Sequence, residues 1–160
     1  MKIGIIADTH DNFSNTQKAV EKFNSLSIPM IIHAGDIISP FAVRILSRLT
    51  GKFIGIYGNC DVDKNALKNT ISKFGKIENP PFFTEIGGLN FCIIHEHFLI
   101  NKISRNPSVD VIIYGHLHKP DVRNGKPLVI NPGECCSHLT GKATVAILDT
   151  ANLNVEILTL

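Results

Sequence analysis

Short hydrophobic runs and amphipathic segments alternate along the first third of the chain. The segments 3–7, 30–34 and 53–57 are almost entirely apolar and are bounded by polar residues, a pattern that predicts strands buried on both faces. Between them, the segment 14–26 places its apolar side chains on one helical stripe, and 41–49 is predicted as a second helix. Strand–helix units in succession are typical of a parallel sheet with right-handed crossovers.

The second half of the chain has the pattern of hairpins instead. Pairs of short apolar segments flank turn residues at three places, and each pair predicts two antiparallel strands. The predicted pairs are 82–86 with 89–94 around Gly87-Gly88, 122–123 with 128–130 around Asn124-Gly125, and 144–148 with 153–158. A strand at 109–114 and a short helix at 98–105 complete the pattern. We therefore predict one α/β domain over residues 1–160, with two β-sheets packed face to face between helices as a four-layer α/β/β/α sandwich.

Composition narrows the classes of function. Of the 160 residues, 44% are hydrophobic and 19% are charged, with a net charge of +2, so a core can form but no basic footprint for nucleic acid stands out. The sequence has no signal-peptide core and no apolar run of membrane-spanning length, which predicts a soluble cytoplasmic protein with no membrane partner. None of the four cysteines has CxxC spacing, so no zinc knuckle or thioredoxin-like site is indicated and a reducing compartment is favoured.

Polar side chains of the metal-ligand type follow five of the predicted strands. In the order of those strands they are Asp8 and His10, Asp36, Asn59 and Asp61, His95 with Glu96 and His97, and His116 with His118. In open α/β sheets, ligands bind outside the carboxyl ends of the strands, where residues distant in sequence meet. We therefore expect these side chains to converge on one edge of the molecule.

The residue types in this set indicate divalent metal ions. Carboxylates and imidazoles without thiolates suit zinc, manganese, iron or nickel. In Asp-x-His and His-x-His, an extended backbone would place two ligands on the same side. Gly35, Gly58 and Gly115 precede ligands and allow a close approach of the backbone.

The number of ligands favours two ions over one. The seven donor residues are Asp8, His10, Asp36, Asn59, His95, His116 and His118. Seven donors are too many for one tetrahedral ion, whereas two ions that share one carboxylate would use them all. Pairs of ions about 3.5–4 Å apart are a standard device for phosphoryl transfer.

Five sequence blocks resemble the signature of a known superfamily. They are Asp8-Thr9-His10, Gly35-Asp36, Gly58-Asn59-Cys60-Asp61, His95-x-His97 and Gly115-His116-Leu117-His118. In this order they are similar to the motifs of the calcineurin-like metallophosphoesterases. Within that superfamily the chain resembles the small single-domain phosphodiesterases of bacteria and archaea, and it is also similar to the retromer subunit of the same branch. The resemblance includes the block Asn131-Pro132-Gly133-Glu134, covers essentially the whole chain, and implies the same two-sheet sandwich.

The resemblance also implies a role for each ligand. Asp8, His10, Asp36 and His118 would hold the first ion, and Asp36, Asn59, His95 and His116 the second, with Asp36 bridging. Manganese is the first expectation for the metal, with nickel, zinc, iron and magnesium as alternatives. A hydroxide between the ions would attack the phosphorus of a small phosphodiester. Asn59 would face the phosphate, and Asp61 would orient a neighbouring group.

Two positions depart from the superfamily pattern. Cys60 stands where many members have a histidine that assists the leaving group, and a thiol is a weak donor. We therefore expect a preference for good leaving groups, or that His97 serves as a substitute acid. Glu96 replaces the usual glycine beside the site, which we expect to alter access or metal preference. The predicted catalytic residues are Asn59, Asp61 and His97, and the predicted substrate-binding residues are Asn59, Cys60 and His97.

Other reactive side chains have plainer interpretations. His33 lies inside a predicted strand and is interpreted as a hydrogen-bonded core residue. His138 lies outside the blocks and is assigned to the surface or the rim of the site. Cys135 and Cys136 are interpreted as buried small hydrophobic residues, and Glu134 as either pocket wall or a solvated turn.

Three functions stay open on the sequence alone. A hydrolase of phosphodiesters, with monoesters second, is the leading hypothesis. A non-catalytic interaction scaffold like the retromer subunit is the second, although all seven ligand positions are filled. A nucleotide pyrophosphatase at the same site is the third. Chains of this size often pair, so a homodimer is one option.

Overall fold

The computed structural model describes all 160 residues, which form eleven strands, four α-helices and one 3-10 turn. In chain order the strands are β1 (Lys2–Ile6), β2 (Met30–His33), β3 (Lys52–Ile56), β4 (Gly75–Glu78), β5 (Phe82–Ile86), β6 (Leu89–Ile93), β7 (Val111–Ile113), β8 (Pro120–Arg123), β9 (Leu128–Pro132), β10 (Thr144–Asp149) and β11 (Asn154–Thr159). The helices are α1 (Phe13–Ser25), α2 (Pro40–Leu46), α3 (Lys64–Ile71) and α4 (Ile100–Ile103), and the 3-10 turn spans His97–Leu99.

The first sheet has six strands in the order β11-β10-β1-β2-β3-β4. Strands β1 to β4 run parallel to one another, with Ile5 beside Ile32 and Ile32 beside Ile54. Strand β10 pairs antiparallel with β1, and β11 pairs antiparallel with β10. The three buried strands predicted in the first third of the chain are therefore neighbours, and their carboxyl ends face the same edge.

The second sheet has five strands in the order β5-β6-β7-β9-β8. Strands β5 and β6 form the predicted hairpin, in which Gly87 and Gly88 both have positive φ (60° and 80°), as a two-residue hairpin turn of the favoured type requires. Strands β6, β7 and β9 run parallel, and β8 pairs antiparallel with β9. The carboxyl ends of β6 and β7 therefore also lie together.

Three clusters of apolar side chains fill the spaces between the layers of the fold. The cluster between the sheets joins Ile5 and Ile54 of the first sheet to Phe91 and Ile113 of the second. A second cluster packs α1, α2 and α3 against the outer face of the first sheet, and a third packs α4 against the outer face of the second. This arrangement confirms the predicted α/β/β/α sandwich.

The sequence pattern predicts neither α3 nor β4. Helix α3 buries only Leu67 and Ile71, so its apolar stripe is too short to stand out. The side chain of Asp63 caps this helix by accepting from the backbone N–H of Ala66 at 2.9 Å. Strand β4 has one buried residue, Ile77, and lies at the edge of the first sheet. Packing against β3 and α2 therefore contributes more to these two elements than their own sequence does.

The other helices differ from the prediction mainly in length. Helix α2 ends at Leu46 rather than at residue 49, and the predicted helix at 98–105 is a 3-10 turn followed by the single turn of α4. Helix α1 begins after Asn12, whose side chain accepts from the backbone N–H of Asn15 at 3.0 Å. None of the helices combines the length and the hydrophobicity that a membrane-crossing segment needs.

Candidate metal centre

All seven predicted ligand residues lie in loops at one edge of the two sheets. Asp8 and His10 follow β1, Asp36 follows β2, Asn59 follows β3, His95 follows β6, and His116 and His118 follow β7. The backbone N–H of His116 lies 3.1 and 3.2 Å from the two carboxylate oxygens of Asp8, and this contact joins the second sheet to the first. The topology therefore brings residues from five loops to one place.

Four of these side chains form a first group around Asp8. Its members are Asp8, His10, Asp36 and His118. Nε2 of His10 lies 3.9 Å from Oδ1 of Asp8 and 3.5 Å from Oδ2 of Asp36. Nε2 of His118 lies 3.7 Å from the same oxygen of Asp8, and the two imidazole rings stack with their centroids 5.0 Å apart. Two imidazole nitrogens and two carboxylates therefore converge, a donor set that suits one divalent ion.

A second group shares Asp36 with the first. Nε2 of His95 lies 3.4 Å from Oδ2 of Asp36 and 2.9 Å from the amide oxygen of Asn59. The same Asn59 oxygen lies 3.0 Å from Nδ1 of His116. Oδ2 of Asp36 is thus close to His10 on one side and to His95 on the other, which is the position of a carboxylate shared between two groups.

Hydrogen bonds outside the centre determine which imidazole nitrogen faces it. Nδ1 of His95 donates to the carbonyl oxygen of Ala34 at 2.7 Å, and Nδ1 of His118 donates to Oε2 of Glu134 at 2.7 Å. Because carbonyl and carboxylate oxygens only accept, the proton of each neutral ring lies on Nδ1. The lone pair on Nε2 of each ring therefore faces the centre.

The centre consequently contains more acceptors than donors. The lone pairs of His95 and His118 point toward oxygens that are themselves acceptors. Nε2 of His10 is buried and has no hydrogen-bond partner. Buried acceptors that face one another are unfavourable unless a proton or a cation lies between them. The set of carboxylates, imidazoles and one amide fits divalent cations of hard or borderline character.

The two carboxylates respond differently to burial. Burial raises the pKa of Asp8 to about 6, and the imidazoles of His95 and His118 offset this only in part. Burial acts on Asp36 in the same direction, but the N–H of Cys60 and a proton that occupies Nε2 of His95 when no cation is bound outweigh it, so the pKa of Asp36 lies well below its usual range. Asp36 therefore stays ionised and keeps a negative charge that can bind a cation.

Five of the seven ligand residues adopt a left-handed backbone conformation just after the strands that they follow. The positive φ angles are 52° at Asp8, 40° at His10, 61° at Asp36, 69° at His116 and 57° at His118. Residues other than glycine seldom adopt this conformation, and such strain clusters at functional sites. The extended backbone expected for Asp-x-His and His-x-His is therefore wrong: paired ligands converge because the chain turns at each of them.

Two of the glycines noted in the sequence leave room for ligands. A Cβ atom on Gly35, whose φ is 97°, would lie 2.6 Å from Nδ1 of His95. A Cβ atom on Gly58 would overlap the carboxylate of Asp36. Any larger residue at either position would displace a ligand side chain.

Asp61 acts on the backbone beneath the centre. Its carboxylate is nearly fully buried and accepts from the N–H groups of Gly58, Asp36, Ile37 and Ile38 at 2.7–3.0 Å. These contacts fix the turn that carries Asp36 next to the turn after β3. Asp61 therefore positions the backbone that carries Asp36, which agrees with the orienting role that the resemblance implies for it.

Cys60 and His97 lie beside the centre at different depths. The backbone N–H of Cys60 donates to Oδ1 of Asp36 at 2.8 Å, and its sulfur accepts from the side-chain amide of Asn59 at 3.2 Å. Burial and the neighbouring carboxylate of Asp36 raise the pKa of Cys60 to about 11, so the thiol is protonated at neutral pH. His97 is exposed, and its ring stacks on His116 with the centroids 6.0 Å apart. An imidazole is therefore available on the solvent side of the centre.

Glu134 is a functional residue that the hydrophobic pattern does not single out. It is fully buried, which excludes a solvated turn. Besides Nδ1 of His118, its carboxylate accepts from the backbone N–H groups of His138 and Leu139 at 3.0 Å and from the hydroxyl of Thr140 at 2.7 Å. These donors outweigh burial, which alone would raise the pKa of Glu134, and hold that pKa well below its usual range. Glu134 thus orients His118 and fixes the loop that carries His138.

Cys136 belongs to the same network behind His118. Its thiol donates to Oε2 of Glu134 at 3.2 Å and lies 3.9 Å from Nδ1 of His118. The sulfur is also within 4.8 Å of a ring nitrogen of His10. However, Nδ1 of His118 is already bonded to Glu134, and burial raises the pKa of Cys136 to about 12, so the thiol stays protonated. The one sequence signal for this network was the block that ends in Glu134.

The two remaining histidines have separate environments. His33 is fully buried; its Nε2 lies 3.1 Å from the hydroxyl of Thr9, and its Nδ1 accepts from the N–H of Gly35 at 3.2 Å. Burial lowers the pKa of His33 to about 3, so the ring is neutral. These contacts confirm the interpretation of His33 as a hydrogen-bonded core residue. His138 is exposed, and its ring centroid lies 6.3 Å from that of His10, at the rim of the centre.

Comparisons with known proteins cover nearly the whole chain. The family described as the calcineurin-like phosphoesterase superfamily domain matches residues 1–153. A phosphodiesterase of Methanocaldococcus jannaschii is 39% identical over 155 residues, which cover 94% of this chain and 93% of that protein.

The fold is also similar to those of solved structures. A structure described as a novel archaeal phosphodiesterase has a TM-score of 0.94 at 37% identity, with 100% of both chains covered. A Vps29 variant of Entamoeba histolytica has a TM-score of 0.72 at 16% identity, covering 100% of this chain and 99% of that one, and it shows the fold alone. The extent of the family match, together with the identity to the archaeal relative, shows that the chain belongs to the calcineurin-like phosphoesterase superfamily.

Proposed function

We propose that the protein is a metal-dependent phosphodiesterase that acts on small phosphodiesters. The observation that carries the proposal is the convergence of carboxylates and imidazole lone pairs on an edge where Nε2 of His10 is buried without a partner. The relative at 39% identity is named a phosphodiesterase, which supports the same activity here.

The proposed centre holds two divalent cations. The first would be bound by Asp8, His10, Asp36 and His118, and the second by Asp36, Asn59, His95 and His116. The closeness of Oδ2 of Asp36 to both His10 and His95 supports its role as the shared ligand. Manganese is the metal that we propose first, because three of the seven ligands are oxygen donors and the other four are imidazoles, a mixture that suits a fairly hard divalent cation.

The chain's own residues would orient and screen the phosphate. When bound, the cations would supply Lewis-acid activation of a water and would offset negative charge on the phosphate oxygens. Asn59 is exposed, and its amide N–H group now directed at Cys60 can turn to a phosphate oxygen. Glu134 and the carbonyl of Ala34 keep the ring protons on the outer nitrogens, so that the inner ones remain free to bind.

We assign protonation of the leaving group to His97. It is exposed, it stacks on His116, and an imidazole can act as a general acid. The thiol of Cys60 is a poorer donor because its pKa is raised to about 11.

A metal-dependent assay tests the proposed function. The purified protein is stripped with a chelator and supplied with manganese, nickel, zinc or magnesium, and nitrophenol release from bis(4-nitrophenyl) phosphate is followed. We expect turnover only with metal, and a loss of at least about 100-fold in Asn59→Ala. Asn69→Ala, which removes an exposed asparagine of α3, is the matched control and should keep full activity. Absence of turnover with every metal would contradict the proposal and favour an interaction scaffold.

We further propose that residues 1–160 form one domain that works in a reducing, cytoplasmic compartment. The three apolar clusters bind both sheets and all helices to one another, which supports one domain. All four cysteines are free thiols, which supports a reducing compartment. Cell fractionation would test the location, and a single cooperative unfolding transition would test the domain.

A further inference from the structure

A cavity lies between α2 and α3, the helices that cover part of the outer face of the first sheet. Its volume is about 590 Å³, which is within the range of pockets that bind small organic molecules. No acidic side chain and no ligand of the metal centre lines it. The lining includes two cations, two hydroxyls and two aromatic rings, which belong to Arg44, Lys73, Ser47, Thr70, Phe41 and Phe74. We call this feature the α2–α3 cavity.

The helical period of α2 forms one wall of the α2–α3 cavity. Because this helix buries Ala42, Val43 and Leu46 against the sheet, its other positions are left for the cavity side. Phe41, Arg44 and Ser47 are spaced three residues apart and therefore share one side of the helix. The last turn of α3 and the residues that follow it, 70–74, form the opposite wall.

The two cations of the cavity have no charged partner in the protein. The only lysine or arginine side chains in ion pairs are Arg123 of β8 and Lys126, which follows that strand. The guanidinium of Arg44 lies 5.4 Å from the ring centroid of Phe41, a contact that leaves its N–H groups available. Arg44 and Lys73 therefore bring two cationic hydrogen-bond donors to the cavity without an acceptor for either.

The part of the chain that forms the cavity also has an excess of positive charge. Residues 37–77 contain seven of the 16 lysines and arginines but only two of the 14 acidic residues. These two acids, Asp61 and Asp63, accept from backbone N–H groups at the turn after β2 and at the start of α3. Since the whole chain has a net charge of only +2, the positive charge is concentrated here, and it favours an anionic ligand.

The aromatic rings and the hydroxyls narrow the choice of anion. The side chain of Phe41 is 63% exposed, whereas Phe74 is half-buried with its ring centroid 5.4 Å from that of Phe53. An exposed ring in a cavity can stack on a ring of a ligand. The hydroxyls of Ser47 and Thr70 donate to carbonyls of their own helices at 2.8 and 2.9 Å, so their oxygens are left to accept. A ligand that matches this lining has an aromatic ring and hydrogen-bond donors in addition to its negative charge.

We infer that the α2–α3 cavity binds a mononucleotide, with the phosphate at Arg44 and Lys73 and the base against the ring of Phe41. A mononucleotide combines an anion, an aromatic base and the donor hydroxyls of ribose in one small molecule. Arginine binds phosphate through paired N–H groups, and bases stack on aromatic side chains. The inference goes beyond the proposed phosphodiesterase function and does not depend on it, because no residue of the metal centre lines the cavity.

Calorimetric titration of the full chain with adenosine 5′-monophosphate tests the inference. The buffer contains a chelator, so that no cation in the metal centre binds the phosphate. We expect one site per chain, with an affinity at least about tenfold higher than for adenosine, which lacks the phosphate, or ribose 5-phosphate, which lacks the base. Arg44→Gln/Lys73→Gln should weaken binding at least about tenfold, and Phe41→Ser at least about fivefold. The matched control Lys102→Gln/Arg105→Gln removes the same two charges from exposed positions at α4 and should bind normally.

The location of the bound nucleotide is a second readout of the same titration. The backbone amide NMR signals of residues 41–47 and 70–74 should shift, and those of residues 116–118 should not. Absence of binding, or binding that the Arg44→Gln/Lys73→Gln variant leaves unchanged, would overturn the inference. Equal affinity for ribose 5-phosphate would overturn it in favour of a site for simple phosphates. Binding of a twelve-nucleotide RNA about 100-fold more tightly through the same residues would overturn it in favour of a nucleic-acid surface. Because the three substituted side chains of the cavity are exposed, these variants leave the core intact.

Discussion

The two ligand groups of the metal centre are supported by different means. In the first group, the buried carboxylate of Glu134 holds His118, and the ring of His118 stacks on that of His10. In the second group, the neutral carbonyl of Ala34 holds His95, and the exposed amide of Asn59 links His95 to its neighbour. The first group is thus supported by a buried charge, whereas the second is supported by a neutral carbonyl and includes one exposed ligand, Asn59.

This difference indicates that the two groups have different roles. A carboxylate behind an imidazole raises its basicity and strengthens metal binding, and a backbone carbonyl does so less. We therefore expect the first group to hold its cation more tightly and the second to be the side where the phosphate enters. Asp36 belongs to both groups, so it should control both at once.

Removing the shared carboxylate should have the largest effect. In Asp36→Asn the amide keeps an oxygen for the N–H of Cys60 but loses the charge that both cations need. We expect both metal sites to be lost in isothermal titration with manganese, and activity to fall by at least roughly 10³-fold. The control is Asp110→Asn, which changes a half-buried carboxylate at the opposite end of β7 and should leave metal binding normal. Retention of either ion in Asp36→Asn would show that the carboxylate is not shared.

Acid should destabilise the metal-free protein because it protonates His33, a buried residue close to Asp36 in the chain. The pKa of His33 is lowered to about 3 by burial, so its contribution to stability is fully present above about pH 6.5 and is lost progressively as the pH falls toward 3. The loss should reach on the order of 4 kcal/mol, because a charged ring could not accept from the N–H of Gly35. Urea unfolding between pH 7 and pH 4 measures the slope. A neutral variant, His33→Gln, should show a shallower slope, and an unchanged slope would contradict the assignment.

Weakening the turn that carries Asp36 should disturb the two groups equally. In Asp61→Asn one carboxylate oxygen is replaced by an N–H₂ group that faces backbone donors. We expect the free energy of unfolding to fall by about 2–3 kcal/mol. Both metal affinities should fall by a similar factor in calorimetric titration. A loss confined to one ion would mean that Asp61 supports one group only.

Removing the charge behind His118 should separate the two groups. In Glu134→Gln we expect the first cation to bind about 10–100-fold more weakly, with the second little changed. Amide hydrogen exchange of the segment 138–140 should also accelerate, because those N–H groups lose an acceptor. The control is Glu156→Gln, an exposed residue of β11. An equal loss of affinity for both cations would contradict the different roles of the two groups.

The smallest expected effect concerns the open side of the second group. Replacing Cys60 by histidine adds a proton donor next to Asn59. We expect about tenfold faster turnover of diesters with poor leaving groups and little change with nitrophenyl diesters. If both kinds of substrate respond alike, the thiol does not limit protonation of the leaving group.

The architecture could be predicted from the sequence because buried strands and helices show a regular pattern of apolar residues along the chain. The runs at β1, β2 and β3 are apolar on both faces, and the glycine pair of the β5–β6 hairpin marks its turn. Helix α3 has only a weak apolar pattern, since Leu67 and Ile71 are its only buried residues. Elements that depend on their neighbours are thus the ones that a periodic pattern misses.

The convergence of the ligands was foreseeable, but the way in which they converge was not. Strand-end positions place Asp8 and His118 at one edge whatever the local backbone does. The left-handed turns at these residues depend on tertiary contacts, such as the one between the N–H of His116 and Asp8. Glu134 acquires its role from His118, sixteen positions earlier in the chain, and no local pattern records that contact.

Anomalous diffraction from crystals grown with manganese tests the central claim most directly. The account predicts two peaks about 3.5–4 Å apart, one on each side of the Asp36 carboxylate. One should lie within bonding distance of His10 and His118, and the other within bonding distance of His95 and His116. A single peak, or peaks that leave His95 or His118 unligated, would contradict the two-cation centre.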